Sequence, residues 1–141
     1  MSADSSYPRL LQTVLDCTDT RLLAEFYRQL LGLVYRPGDE IPESGRDDPA
    51  PDWLVLLTRS GERRLAFQQV ANLPATTWPE PGLPQQMHLD TTVPNRTELN
   101  VQGERALALG ARLVLDRTDD PDEPLQVYAD PAGHTFCIFV A

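Results

Sequence analysis

The sequence predicts an α+β fold of two tandem βαβββ modules whose strands form a curled mixed sheet around a cleft, with the helices outside. Three observations carry this prediction. Gln12 lies seven residues before Asp19, and His88 lies seven residues before Asn95, so two strand-like runs reach two helix caps in the same register. Both helical patterns then close on a leucine followed by glycine, at Leu31-Gly32 and Leu109-Gly110. The halves also finish alike, on Leu65–Val70 and Thr135–Val140, both apolar and rich in residues suited to strands.

In order, the first module is expected over residues 9–70. The run from Arg9 to Thr18 reads as a strand covered on both faces, because neither alternate set of side chains is wholly polar. Thr18, Asp19 and Thr20 are N-cap candidates, and Leu22, Leu23, Phe26, Tyr27, Leu30 and Leu31 follow at helical spacing until Gly32 ends the helix. Leu33–Arg36 is a short strand. Residues 36–52 hold four prolines, two glycines and six acidic residues, the composition of a long acidic loop that is either a solvated insertion or a lid. Trp53–Thr58 and Arg64–Val70 make a hairpin turning at Ser60, Gly61 and Glu62.

Residues 71–85 are a proline-rich linker that cannot extend a sheet, and its Trp78 is expected to cap the core rather than wall a pocket. The second module, 86–141, repeats the order. Met87–Val93 is a strand and Arg96–Leu109 a helix, in which Gly103 costs about 1 kcal/mol relative to alanine and so marks a close helix contact. Ala111–Asp116 and Leu125–Ala129 are strands. Asp130–Gly133 is a turn, with His134 expected at the surface beside it, and His134–Val140 is the last strand.

At 141 residues the chain needs no disulfide or metal to hold a core. A net charge of −9 argues against nucleic acid or an anionic membrane as partner. Without a basic leader followed by an apolar run, the expected location is the cytoplasm, with Cys17 and Cys137 as reduced, buried thiols.

Three motifs, namely the opening Asp16–Gly32, the linker and strand Trp78–Val93, and the ending Asp130–Val140, resemble the vicinal oxygen chelate superfamily, the glyoxalase, bleomycin-resistance and extradiol dioxygenase fold. The closest resemblance is to its short glyoxalase-like domain proteins, over residues 9–141. That resemblance implies a divalent metal held by one residue from the opening strand and one from the closing strand of each half. Gln12 and His88 fit the opening positions. Gln68 and Cys137, placed at the closing positions, do not, since both carboxylates of the family's set are missing. Little anionic charge is left to offset dehydration of a metal ion, so the expected cofactor is none, with Gln12, His88 and Cys137 as the remaining metal candidates and Asp90 as a further donor.

Strand alternation turns Gln12, Val14 and Asp16, then His88, Asp90 and Thr92, toward the cleft, joined by Ala66, Gln68 and Val70 and by Thr135, Cys137 and Phe139. Leu11, Leu15, Cys17, Leu89, Val93, Phe136, Ile138 and Val140 suit the helix side. The ligand-binding set expected from this is Gln12, Val14, Asp16, Gln68, His88, Asp90, Thr92, Cys137 and Phe139. His88 and Asp90, about 7 Å apart along the backbone, either position a proton or a polar ligand or are satisfied by polar neighbours. The leading expectation is a metal-free small-molecule binder. A metal-dependent lyase or isomerase is the alternative, a regulatory or structural subunit the third reading, and a homodimer fits any of them.

Overall fold

A computed structural model describes residues 7–43, 48 and 51–141. The first module contains β1 (Thr13–Cys17), α1 (Thr20–Leu31), β2 (Val34–Tyr35), β3 (Trp53–Leu57) and β4 (Arg63–Gln69). The second contains β5 (His88–Val93), α2 (Arg96–Leu109), β6 (Arg112–Arg117), β7 (Leu125–Ala129) and β8 (Thr135–Val140). Each module forms a four-stranded mixed sheet, in the orders β1-β4-β3-β2 and β5-β8-β7-β6. β1 runs parallel to β4 and β5 to β8, while the remaining pairs are antiparallel. The fold class is therefore the expected one, with two curled sheets that do not close into a barrel.

Local chemistry sets both helix starts. Asp19 caps α1 by accepting from the Leu22 amide at 3.1 Å, and Asn95 caps α2 by accepting from the Glu98 amide at 2.8 Å. Gly32, at φ 67°, ends α1 in the left-handed conformation that favours glycine.

Two elements differ from expectation. The first strand begins at Thr13 rather than Arg9, which leaves Gln12 ahead of the sheet and Leu11 60% exposed instead of under the helices. The strand expected over Leu33–Arg36 shrinks to Val34–Tyr35, because the chain leaves for residues 36–52 as soon as it has paired with Leu56 and Leu57. That acidic segment lies partly outside the described residues. Where it is described, it is tied to α1: Arg21 Nε pairs with Asp48 at 2.7 Å, Arg21 Nη1 donates to the Asp39 carbonyl at 2.7 Å, and the Thr20 hydroxyl donates to the Pro51 carbonyl. Asp39 Oδ2 also accepts from the Val55 amide at 2.9 Å.

One apolar core runs through both modules. Leu15, Cys17, Leu23, Phe26, Tyr27 and Phe67 of the first join Val93, Leu99, Tyr128, Phe136 and Ile138 of the second. Its centre is aromatic: Phe26 lies 5.7 Å from Phe136, and Tyr27 stacks on Phe67 at 6.1 Å, ring centre to ring centre. Tyr27 Oη donates to Asp130 Oδ2 at 2.6 Å, joining α1 to the turn between β7 and β8. Asp130 Oδ1 accepts from the Ala132 and His134 amides, which completes the turn.

Burial raises the Asp130 carboxyl above its ordinary value, against the hydroxyl of Tyr27, the charge of His134 and the two amides, which pull it down. The folded protein therefore binds this proton more tightly than the unfolded chain. Its contribution to stability decreases as pH rises from about 3.8 through the raised pKa. Asp130→Asn is expected to remove that component from a plot of unfolding free energy against pH. Tyr27→Phe, which strips the buried carboxylate of a donor, is expected to cost about 1–3 kcal/mol in urea unfolding at neutral pH.

Gly103 is the close contact its position suggested. A Cβ there would come within 2.4 Å of Tyr128 Oη and 2.5 Å of Gln126 Oε1, two atoms already hydrogen-bonded to each other at 2.6 Å. Tyr128 is held by stacking on Phe136 at 5.6 Å and has little room to retreat. Overpacking of about 1–3 kcal/mol outweighs the roughly 1 kcal/mol of helix propensity gained. Gly103→Ala is thus expected to lower stability by up to about 2 kcal/mol, read from the midpoint of urea denaturation.

Candidate functional site

Two adjoining cavities open beside β1 and β5. The larger, about 450 Å³, lies at the junction between the modules, lined by Thr13–Asp16 and Gln68 on one side and by the linker, Gln85–Leu89 and Ala132–Thr135 on the other. The smaller, about 310 Å³, lies over the concave face of the second sheet. Gln85 and His88 belong to both walls.

The linker is shaped to form part of this wall. Thr77 closes it on itself, its amide donating to the Leu83 carbonyl and its hydroxyl accepting from the Leu83 amide, both at 2.8 Å. Trp78, whose amide donates to Thr76 Oγ1 at 3.1 Å, is turned into the smaller cavity. It does not cap the core, contrary to expectation, because the aromatic centre is already filled by Phe26, Tyr27, Phe67, Tyr128 and Phe136. Gly133 lets the linker sit directly on the turn after β7. A Cβ at that position would lie 2.6 Å from the Cβ of Ala75, and its φ of 95° is one that side-chain-bearing residues rarely adopt.

His88, Asp90 and Cys137 form a short hydrogen-bonded chain on the second sheet. His88 Nε2 lies 3.2 Å from Asp90 Oδ1, and Cys137 Sγ lies 3.3 Å from the same oxygen. β5 and β8 place them, since Asp90 is the direct partner of Cys137 in the ladder and His88 that of Thr135. The His88 and Asp90 side chains are 46% and 56% exposed, so their contact adds little to stability and leaves both open to a ligand. Burial, then the hydrogen bond to Asp90 and its charge, push the Cys137 thiol up to about 12. A thiol so held donates a proton and is not a nucleophile at neutral pH.

Of the residues expected in the cleft, Val14, Asp16, Gln68 and His88 line the junction cavity, and His88, Asp90, Cys137 and Phe139 line the smaller one. Gln12 and Thr92 line neither. Gln12 Oε1 instead accepts from Arg63 at 3.2 Å. Attention to opening and closing strands alone missed Trp78, Arg117, Glu123 and the row Leu115, Leu125 and Val127. The signal was there in β7, where Leu125 and Val127 alternate with Gln126 and Tyr128.

His134 is also not a free surface residue. Its Nε2 lies 2.7 Å from the Asp16 carbonyl oxygen, so it bridges the turn of one module to the edge strand of the other.

The pairing register revises the equivalence of the two halves. Val14 opposes Ala66 as Asp90 opposes Cys137, and Asp16 opposes Gln68 as Thr92 opposes Phe139. The counterpart of Cys137 is thus Ala66, an apolar and fully buried residue, and not Gln68. A divalent metal of the kind implied by the resemblance would need donors from Gln12, Ala66, His88 and Cys137. Gln12 is engaged with Arg63, Ala66 has no donor, and neither closing-strand position carries a carboxylate. Among the described residues no three His, Cys, Asp or Glu side chains are arranged to hold a metal ion. The donor set does not fit the group.

Removing the Asp90 carboxylate lowers the Cys137 pKa by deleting both the acceptor and the charge. Asp90→Ala is therefore expected to speed labelling of Cys137 by a thiol reagent at pH 8 several-fold, while Cys17, whose thiol burial first and nearby carboxylates second also push up to about 12, stays unreactive until unfolding.

The family profile of the glyoxalase-like domain matches residues 12–139. Comparison with curated protein sequences returns no match. Among solved structures, a glyoxalase/bleomycin resistance protein/dioxygenase family enzyme from Burkholderia phytofirmans PsJN superposes with a TM-score of 0.64 at 19% identity, over 94% of this chain and 98% of that one. A glyoxalase-related enzyme from Fulvimarina pelagi gives 0.64 at 22%, over 96% and 89%. A lactoylglutathione lyase from Agrobacterium tumefaciens gives 0.58 at 16%, over 96% and 95%. At these identities the likeness is one of fold. No helix among the described residues is long and apolar enough to cross a membrane.

Proposed function

The chain belongs to the glyoxalase-like domain family, and from that premise we propose that it binds a small organic molecule in the cleft between its modules without a metal ion. The observation that carries this reading is the pair of adjoining cavities that share His88 and Gln85 where the family's metal donors fail to converge. A volume of about 450 Å³ is in the usual range for small-molecule sites. Its walls suit such a ligand: Val14, Leu73 and Leu89 give apolar surface, while His88, Asp16 and Gln85 offer few, spaced polar groups. With Nε2 turned to Asp90, His88 keeps Nδ1 for the ligand. Two free, buried thiols suit a protein that works in the reducing cytoplasm.

The test is a thermal-shift screen of a broad compound set, followed by native mass spectrometry of the hits. A bound compound at about one hundred times its Kd is expected to stabilise the fold by roughly 2.7 kcal/mol. Val14→Trp, which fills the junction cavity from an edge strand, is expected to abolish the shift while leaving the fold intact. A full equivalent of tightly bound zinc or manganese that is lost in His88→Ala would overturn the metal-free reading and favour a metal-dependent lyase or isomerase. Absence of any hit across the set would sink the binding reading itself.

A further inference from the structure

The junction cavity has an unusual wall, because part of it is the bare edge of a β-strand. Among the described residues no strand pair joins the two sheets, so β1 has β4 on one side and the cavity on the other. Two hydrogen bonds fix which of its backbone groups face outward. The Cys17 carbonyl accepts from the Val70 amide and so points toward β4. The Asp16 carbonyl accepts from His134 and so points away from it. Because successive residues of a strand present their backbone groups to opposite sides, Val14 turns both its N–H and its C=O toward the cavity, as Asp16 turns its N–H. Val14 is 40% exposed, and Thr13 to Asp16 all line the wall. An edge of this kind is a ready template for another extended chain.

The rest of the wall narrows the chemistry of that chain. Leu73, Pro74, Leu83 and Met87 are apolar, and the four lining residues Thr13–Asp16 span about 10–13 Å, the length of three or four extended residues. Asp16 is the single carboxylate in the lining, which includes no Arg or Lys. A carboxylate-bearing ligand would find no cation there, whereas an ammonium would find Asp16.

The geometry points to a short apolar peptide as the occupant, extended beside β1, exchanging hydrogen bonds with Val14 and setting its amino terminus near Asp16. This rests on the cleft being a small-molecule site, and it names the class of molecule. The peptide's central amide would pair with Val14, its side chains alternating between the apolar linker wall and the cleft. His134 occupies the Asp16 carbonyl and so sets where the pairing stops.

The probe is the tripeptide amide Leu-Val-Leu-NH₂, titrated into the full chain labelled with ¹⁵N. The expected result is movement of the Val14 and Asp16 amide signals, with binding weakened about tenfold when the central peptide nitrogen is methylated, the effect of losing one hydrogen bond. Val14→Pro, which removes an N–H that the sheet does not use, should weaken binding by a similar factor. If Val14→Pro fails to fold, the methylated peptide decides alone. No binding of the tripeptide at millimolar concentration, or binding indifferent to methylation, overturns the proposal. Should other compounds from the thermal-shift screen still bind the cleft, the broader reading stands while this one falls.

Discussion

Tyr27 and Asp130 meet at 2.6 Å where neither has water to replace the other. A buried carboxylate left without donors is among the costliest groups a fold can hold, so the position of α1 and the shape of the turn after β7 are fixed together. The turn then orders its own amides around Asp130 and sends His134 across to the edge of β1. The linker settles on Gly133, which carries Trp78 into the wall of the cleft. The turn that lines the junction cavity is thus tied to α1 through one buried hydrogen bond.

The two modules share a plan but no longer share chemistry. Where the first sheet sets Val14, Ala66 and Val55 in a row on its concave side, the second sets Asp90 and Cys137 at the equivalent places. The first face has become closed and apolar, with Ala66 and Val55 fully buried. The second keeps exposed polar groups within reach of an aromatic wall. A symmetric metal site draws on both halves equally, and here the first half has Ala66 at one of its two positions and a Gln12 engaged with Arg63 at the other.

Much of the fold was legible because it rests on short-range rules. Asp19 and Asn95 as caps, the glycines after Leu31 and Leu109, and the alternation of β1, β5 and β8 all express local preferences, and Gly103 announced a close contact by breaking one. The cleft was legible only in part. Alternation placed Val14, Asp16, His88, Asp90, Cys137 and Phe139 on one side of their strands. It could not say that β1 starts after Gln12, since an isolated strand end has no local signature. Equating Gln68 with Cys137 failed for a related reason: the register between strands distant in sequence is fixed by Leu65 and Phe67 entering the core. His134 and Trp78 were misplaced because their partners, Asp16 of the first module and the second-sheet residues that wall the smaller cavity, are brought near by tertiary packing, which no window of sequence contains.

The separation of the two sheets also governs how the cleft responds to what enters it. A continuous ladder across the junction would have made its width a fixed multiple of the strand spacing, changed only by breaking main-chain bonds. Here the modules are joined through interdigitated aromatic rings, the Tyr27–Asp130 pair and the bridge from His134. The width of the cleft is therefore set by side-chain packing, the Tyr27–Asp130 hydrogen bond and the His134–Asp16 bridge, and not by main-chain pairing.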